Sequence, residues 1–335
     1  MKVGFFFPGY GCQFVGMAKD FYDNHRSMQE YFEEANQCLD KNYVKLCFAS
    51  SEKDLEEHEN AYVSLYLIGI SLAKILQEEG IHPSVVAGYD VGEYTALSVA
   101  GSLNLPDALY LLRKYGKNYS EFLENKKLKS IRVKGMEQEA LEKLCNQSAN
   151  GAHHATVTVV EQDNQHVLVG TTMALSLIEK ELKKNSLLEI SETHLGGGIH
   201  APLVDEVLKN IKMYLEKVDF KDAKIPFVAG VTGQVLKGAD SVRAAIMQQI
   251  NAPLNLKKTL DAYKFCDTIV IVGPGKKFQT FLKSVYPDKH ILKVVTPQDM
   301  HDVLTALGKK DEQTGEHIND TETDSTTNTV KEHQK

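Results

Sequence analysis

The segment Ser84-Val85-Val86-Ala87-Gly88-Tyr89-Asp90-Val91-Gly92-Glu93-Tyr94 constrains this chain more than any other. Val85–Gly88 reads as a short buried strand, and Gly92 through Val99 reads as a helix. Only a sharp turn fits between them, and a glycine on each side permits the close approach. In a G-x-S-x-G turn this geometry pushes the central side chain away from the backbone. The helix N-terminus then aims free N–H groups and a partial positive charge at the same place. Here the central residue is Asp90, predicted to stand exposed at the tip.

The same alternation of strand and helix runs through most of the chain. Val3–Phe7 reads as a buried strand ending at Pro8-Gly9. Residues 61–79 read as a helix, apolar through Ile68, Ile70, Leu72, Ile75 and Leu76. Pro226–Val228 and Thr268–Val272 read as further buried strands, the second ending at Gly273-Pro274-Gly275. Such alternation implies a parallel sheet covered on both faces. The middle differs. Strands at Ser130–Val133, Thr156–Val160, His166–Val169 and Leu187–Ile190 flank helices at Gln138–Cys145 and Leu175–Lys184, with a turn at Asp163-Asn164. That βαββαβ order is ferredoxin-like.

Composition narrows the function classes. The net charge is −7 and no basic block suggests nucleic acid. No apolar stretch of about 18 residues occurs, so no membrane span is expected. The opening apolar run stops at Pro8, too short for a signal peptide. The five cysteines (Cys12, Cys38, Cys47, Cys145, Cys266) are scattered and form no CxxC. They read as reduced thiols in the cytoplasm. His153-His154 lacks the partners of a metal set, so no metal is expected. His194 reads as structural. Gly9-Tyr10-Gly11 lacks the third glycine of a dinucleotide loop, and Gly273-Pro274-Gly275-Lys276 lacks P-loop spacing.

Four segments together resemble the malonyl-CoA:acyl-carrier-protein transacylase family. Phe7-Pro8-Gly9-Tyr10-Gly11-Cys12-Gln13-Phe14-Val15-Gly16-Met17 resembles that family's FPGQGSQxxGM opening. The elbow resembles its GHSLGEY. Gly198-Ile199-His200-Ala201-Pro202-Leu203 resembles the segment with its catalytic histidine, and Val272-Gly273-Pro274-Gly275 its GPG turn. The four come in family order over residues 1–300. In the family, a serine attacks a malonyl thioester, a histidine is the base, and two backbone N–H groups hold the oxyanion. An arginine binds the malonyl carboxylate. The acyl group then passes to a carrier protein's phosphopantetheine thiol.

The resemblance carries over unevenly. His200 stands at the histidine, and the backbone N–H groups of Tyr10 and Val91 stand at the oxyanion donors. Asp90 replaces the serine, and Tyr89 the histidine beside it. Tyr115, before Gly116, stands at the arginine. Tyr10 replaces a glutamine, Tyr62 aligns with another, and Glu161 aligns with an asparagine. An aspartate needs no base but is a weak nucleophile toward a carbonyl. Paired with His200, it would hold the imidazole protonated. A tyrosine cannot grip a carboxylate as a guanidinium does. Arg113 and Lys114 lie about 200° and 100° round the helix from position 115. With Asp90 and Glu161 repelling malonate, a neutral acyl chain among Tyr10, Tyr62, Tyr89 and Tyr115 fits better. Cys12 is the alternative nucleophile, with a packed thiol as the simpler reading.

The resemblance implies an α/β fold: an α/β-hydrolase-like large subdomain with a parallel sheet at 1–126 and 199–308, and a ferredoxin-like insert at 127–198. Residues 309–335, with four Lys against seven Asp or Glu, are expected to form a disordered acidic tail. The expected function is a divergent homologue, degenerate for serine-based malonyl transfer. It would still bind acyl-carrier protein or acyl-CoA in fatty-acid or polyketide synthesis, with no other cofactor. Two alternatives stay open: an active acyl-thioester transferase or hydrolase using Asp90 or Cys12 with His200, and a scaffold without acyl ligand.

Overall fold

A computed structural model describes residues 1–124, 126–151, 153–193 and 199–309. His194 and nearly all of the acidic tail lie outside the described residues. Among the described residues, eleven strands form two sheets: β1 Val3–Phe7, β2 Val85–Gly88, β3 Leu128–Lys134, β4 Ala155–Gln162, β5 Gln165–Thr171, β6 Glu189–Thr193, β7 Phe227–Val228, β8 Val235–Leu236, β9 Leu254–Asn255, β10 Thr268–Val272 and β11 His290–Val294.

The larger sheet has the order β11-β10-β1-β2-β7-β8. Its neighbours are parallel except β8, which returns antiparallel to β7. β1, β2 and β10 are buried at every position, as expected of strands covered on both faces. The helix His58–Glu78 covers one face with Tyr62, Leu65, Tyr66, Ile68 and Leu72, all buried in the main core. Gly116 lets the helix Leu105–Glu124 lie close against it, because a Cβ there would sit 2.6 Å from Glu59 Cα.

The smaller sheet has the order β6-β3-β5-β4-β9. Neighbouring strands among β3 to β6 are antiparallel, in the fourth-first-third-second order of a ferredoxin-like unit. The helices Gln138–Gln147 and Thr172–Leu182 contribute Leu141, Cys145, Leu175 and Ile178 to its separate core. The α/β fold class read from the sequence holds. β9 adds a fifth strand, parallel to β4, from the chain that follows β8. The last strand of the unit lies at Glu189–Thr193, later than the expected Leu187–Ile190. Leu187 is 84% exposed and lies outside it.

Candidate active site

The elbow forms where β1 and β2 end side by side, with Phe7 paired to Gly88. Gly92 N–H donates to Tyr89 O at 3.0 Å and Glu93 N–H to Asp90 O at 3.1 Å, closing the turn. Asp90 takes φ 53°, the left-handed region that Asp tolerates better than most residues. A Cβ on Gly88 would lie 2.0 Å from Gly92 C, and one on Gly92 would lie 2.2 Å from Phe7 O. Nothing but glycine fits at either place.

The tip is not open, contrary to the sequence expectation. Asp90 is 0% exposed. The turn does push its side chain clear of the backbone, but into the roof made by the Gly9-Tyr10 loop and His200. Asp90 Oδ2 accepts the Tyr10 N–H at 3.2 Å. Asp90 Oδ1 lies 3.2 Å from His200 Nε2, off the line of a good hydrogen bond. The carboxylate thus takes up the Tyr10 donor expected to serve an oxyanion. Val91, buried, is the N-cap of the elbow helix, where N–H groups lack intrahelical acceptors.

Three residues that no motif announced hold His200 in place. His200 Nδ1 donates to Gln249 O at 2.8 Å, and His200 N–H donates to Thr158 Oγ1 at 2.7 Å. Ile199 N–H donates to Tyr119 OH at 2.7 Å. Thr158 lies on β4, so the insert helps to position the histidine of the large subdomain. Because Gln249 O can only accept, Nδ1 carries a hydrogen and Nε2 faces Asp90.

The tyrosines separate into two groups. Tyr62 and Tyr115 meet with ring centroids 5.3 Å apart, and Tyr10 meets Tyr62 edge-on at 5.8 Å. Tyr94 and Tyr119 extend the cluster. Tyr62, Tyr94, Tyr115 and Tyr119 are all 0% exposed, so they form a packed block rather than the walls of an open pocket. Tyr89 does not join them. Its ring packs on Phe278 at 5.1 Å. A cavity of about 540 Å³ lies where the insert meets the large subdomain, bordered by Glu161, Lys257, Asp261, Phe281 and Tyr286. None of the expected pocket tyrosines lines it.

The charges differ from expectation as well. Glu161 is clasped by Arg132 through two contacts of 2.8 Å, which offsets the repulsion expected of it. Arg113 points away to Glu59 and Leu39 O, and Lys114 lies over the Tyr110 and Tyr214 rings, as the helix angle requires. Burial pushes the Cys12 thiol up to about 12, leaving almost no thiolate at neutral pH. Among the described residues no three or more His, Cys, Asp or Glu gather to hold a metal, and no helix is long and apolar enough to cross a membrane.

His58 packs on the Gly9-Tyr10 loop. Its ring stacks on Tyr10 at 4.5 Å, and Tyr10 OH donates to Glu56 O at 2.5 Å. Burial lowers the His58 pKa to about 4, partly opposed by Asp90. The folded state therefore binds this proton less readily than the unfolded chain. The stability contributed is present above about pH 6.5 and is lost as pH falls toward 4, by about 3 kcal/mol over the window. His58→Phe keeps the stack and should flatten this acid limb in urea unfolding followed against pH. An unchanged limb would refute the assignment.

A strand–elbow–helix with a histidine opposite the elbow residue, on a parallel sheet carrying a ferredoxin-like unit, defines an acyltransferase-type α/β protein. A family model described as "Acyl transferase domain" matches residues 4–269, and the chain belongs to that family. It is 26% identical over 313 residues to the malonyl CoA-acyl carrier protein transacylase of Bacillus subtilis (strain 168), covering 93% of this chain and 99% of that one. The corresponding transacylase of Staphylococcus aureus (strain MRSA252) is 23% identical over 301 residues, covering 89% and 97%. Among solved structures, the transacylase of Clostridium perfringens superposes with a TM-score of 0.86 at 22% identity, covering 92% and 98%. A malonyl-transacylase in complex with its type II PKS acyl-carrier protein gives 0.85 at 21% identity, covering 91% and 100%.

Proposed function

We propose that this chain has lost serine-type malonyl transfer but still recognises acyl thioesters, as acyl-CoA or on an acyl-carrier protein, in fatty-acid or polyketide synthesis. The observation that carries this reading is the Asp90 carboxylate, held between Tyr10 N–H and His200 Nε2 at 3.2 Å from each. It takes a donor that an acyl transition state would need and sets a negative charge against the histidine. Tyr115, buried in the tyrosine block, offers no cation to a malonyl carboxylate. The relatives named above, two of them transacylases by sequence and one solved with its carrier protein, support the ligand class.

Mass spectrometry of the intact protein tests the chemistry, after incubation with malonyl-CoA and with a neutral acyl-CoA. The wild type should show no adduct and consume no thioester. An adduct lost in Asp90→Asn or in Cys12→Ala would name a nucleophile and overturn the proposal. Binding is read separately from the melting temperature, since a ligand at a hundredfold excess over Kd stabilises the native state by about 2.7 kcal/mol. No shift with acyl-CoA or with acylated carrier protein would leave a scaffold without acyl ligand.

A further inference from the structure

Glu93 is an unusual occupant of the elbow helix. It lies in the first turn, where an acid is favoured, yet it is 0% exposed. Its Oε1 accepts the Gly230 N–H at 3.0 Å. A Cβ on Gly230 would lie 2.1 Å from that oxygen, so residue 230 must be glycine for Glu93 to fit. Its Oε2 is buried with no partner. No cation among the described residues pairs with it, and the nearby charge is the carboxylate of Asp90.

Gln249 carries the complementary defect. It is 0% exposed, its side chain is in hydrogen-bond contact with Glu93, and its Oε1 has no donor. Its Nε2 is engaged with Asp90 O at 2.6 Å, and its own backbone carbonyl holds His200 Nδ1. Two buried acceptors therefore lie on touching side chains, each lacking a hydrogen. Leaving both unmade is costly, and one proton shared between the two oxygens would satisfy both.

We propose that Glu93 is held in the fold as the neutral acid, its Oε2–H donating to Gln249 Oε1, and that this bond positions both Asp90 and His200 through Gln249. Glu93 is a positioning residue. It touches neither side chain of the pair but fixes the one residue that binds both. Burial, the largest influence, moves its carboxyl well above the usual carboxylate range against the opposing pull of the Gln249 side chain and the Gly230 N–H, and Asp90 pushes it further up. The other titratable groups around it are Tyr94 and Tyr115, both raised by burial and by these carboxylates, and His200 beyond Gln249.

The sign of the pH effect follows. An unfolded Glu93 ionises near pH 4.3, whereas the folded one keeps its proton. The native state thus loses stability as pH rises from about 4.3 toward the folded value, tenfold in the folding equilibrium per pH unit. Glu93→Gln removes this loss. Its amide places a donor at Oε2 and an acceptor at Oε1, reproducing the hydrogen bonds of the neutral acid.

The test is urea unfolding of wild type and Glu93→Gln across about pH 5.5 to 7.5. The ratio of their folding constants should shift in favour of the variant as pH rises, by at most about tenfold per pH unit. The His200 Nδ1–H proton resonance should persist in Glu93→Gln and be lost or displaced in Glu93→Ala. A ratio independent of pH would overturn the proposal. If Glu93→Gln does not fold, infrared spectroscopy decides. A protonated-carboxyl band at pH 7 that survives in Asp90→Asn supports it, and its absence overturns it. Neither readout is an activity, so the outcome is independent of whether the chain recognises acyl thioesters.

Discussion

Gly88→Ala is expected to abolish folding or to lower stability by more than about 4 kcal/mol. The new Cβ would sit 2.0 Å from Gly92 C, and 2.2 Å from both Glu93 N and Gly92 O. All three are backbone atoms, so no side-chain rotamer relieves the clash. Either β2 or the elbow helix must move, and β2 is held on both sides by β1 and β7. Gly308→Ala is the control. Gly308 has φ 70° with nothing within 4 Å of a built Cβ, so only left-handed strain of about 1–2 kcal/mol applies. Soluble yield and urea midpoints measure both. A Gly88→Ala protein within about 1 kcal/mol of wild type would show that the strand and helix are not pressed together as described.

The elbow was legible because its signal is local. Two glycines, an apolar run before them and a helical stretch after them state the geometry within eleven residues. The long buried strands were legible for the same reason, since β1 and β10 are unbroken apolar runs between turn residues. β9 was not. Leu254–Asn255 has no periodicity to read, and it becomes a strand only because β4 offers it an edge. β6 slipped because Leu187 and Leu188 suggested an apolar strand, whereas the edge position favours the polar Glu189–Thr193.

Site residues divide along the same line. Asp90 and His200 stand in motifs, and the structure brings them within 3.2 Å. Gln249, Thr158 and Tyr119 were invisible, because a backbone carbonyl or a lone hydroxyl can act from any helix or strand without a sequence pattern. The burial of Asp90 was also hidden. It depends on what roofs the turn, and the Gly9-Tyr10 loop and His200 come from segments far from the elbow in sequence. Tyr89 misled for a simpler reason: it adjoins Asp90 in sequence, yet its ring packs against Phe278.

The second large effect is expected at the buried pair itself. His200→Ala should lower stability by about 3–5 kcal/mol, the usual consequence of leaving one member of a buried ion pair alone. The effect turns on one hydrogen. Gln249 O fixes a hydrogen on Nδ1, so without a proton between them Nε2 and Asp90 Oδ1 would face each other with lone pairs. His200→Ala removes the imidazole beside Asp90 Oδ1 and leaves the buried carboxylate with only the Tyr10 N–H. Asp90→Asn should cost far less, about 1 kcal/mol. Asparagine tolerates the left-handed backbone, its oxygen can accept from Tyr10, and its amide can donate to the free Nε2. Combined with His200→Ala it should recover about 2 kcal/mol or more, because no charge is then stranded. Additive effects within about 0.5 kcal/mol would show that the two side chains do not share a proton. Coupling of the expected sign would mean that Asp90 holds His200 as a donor, and a histidine so held cannot take the proton of an attacking hydroxyl.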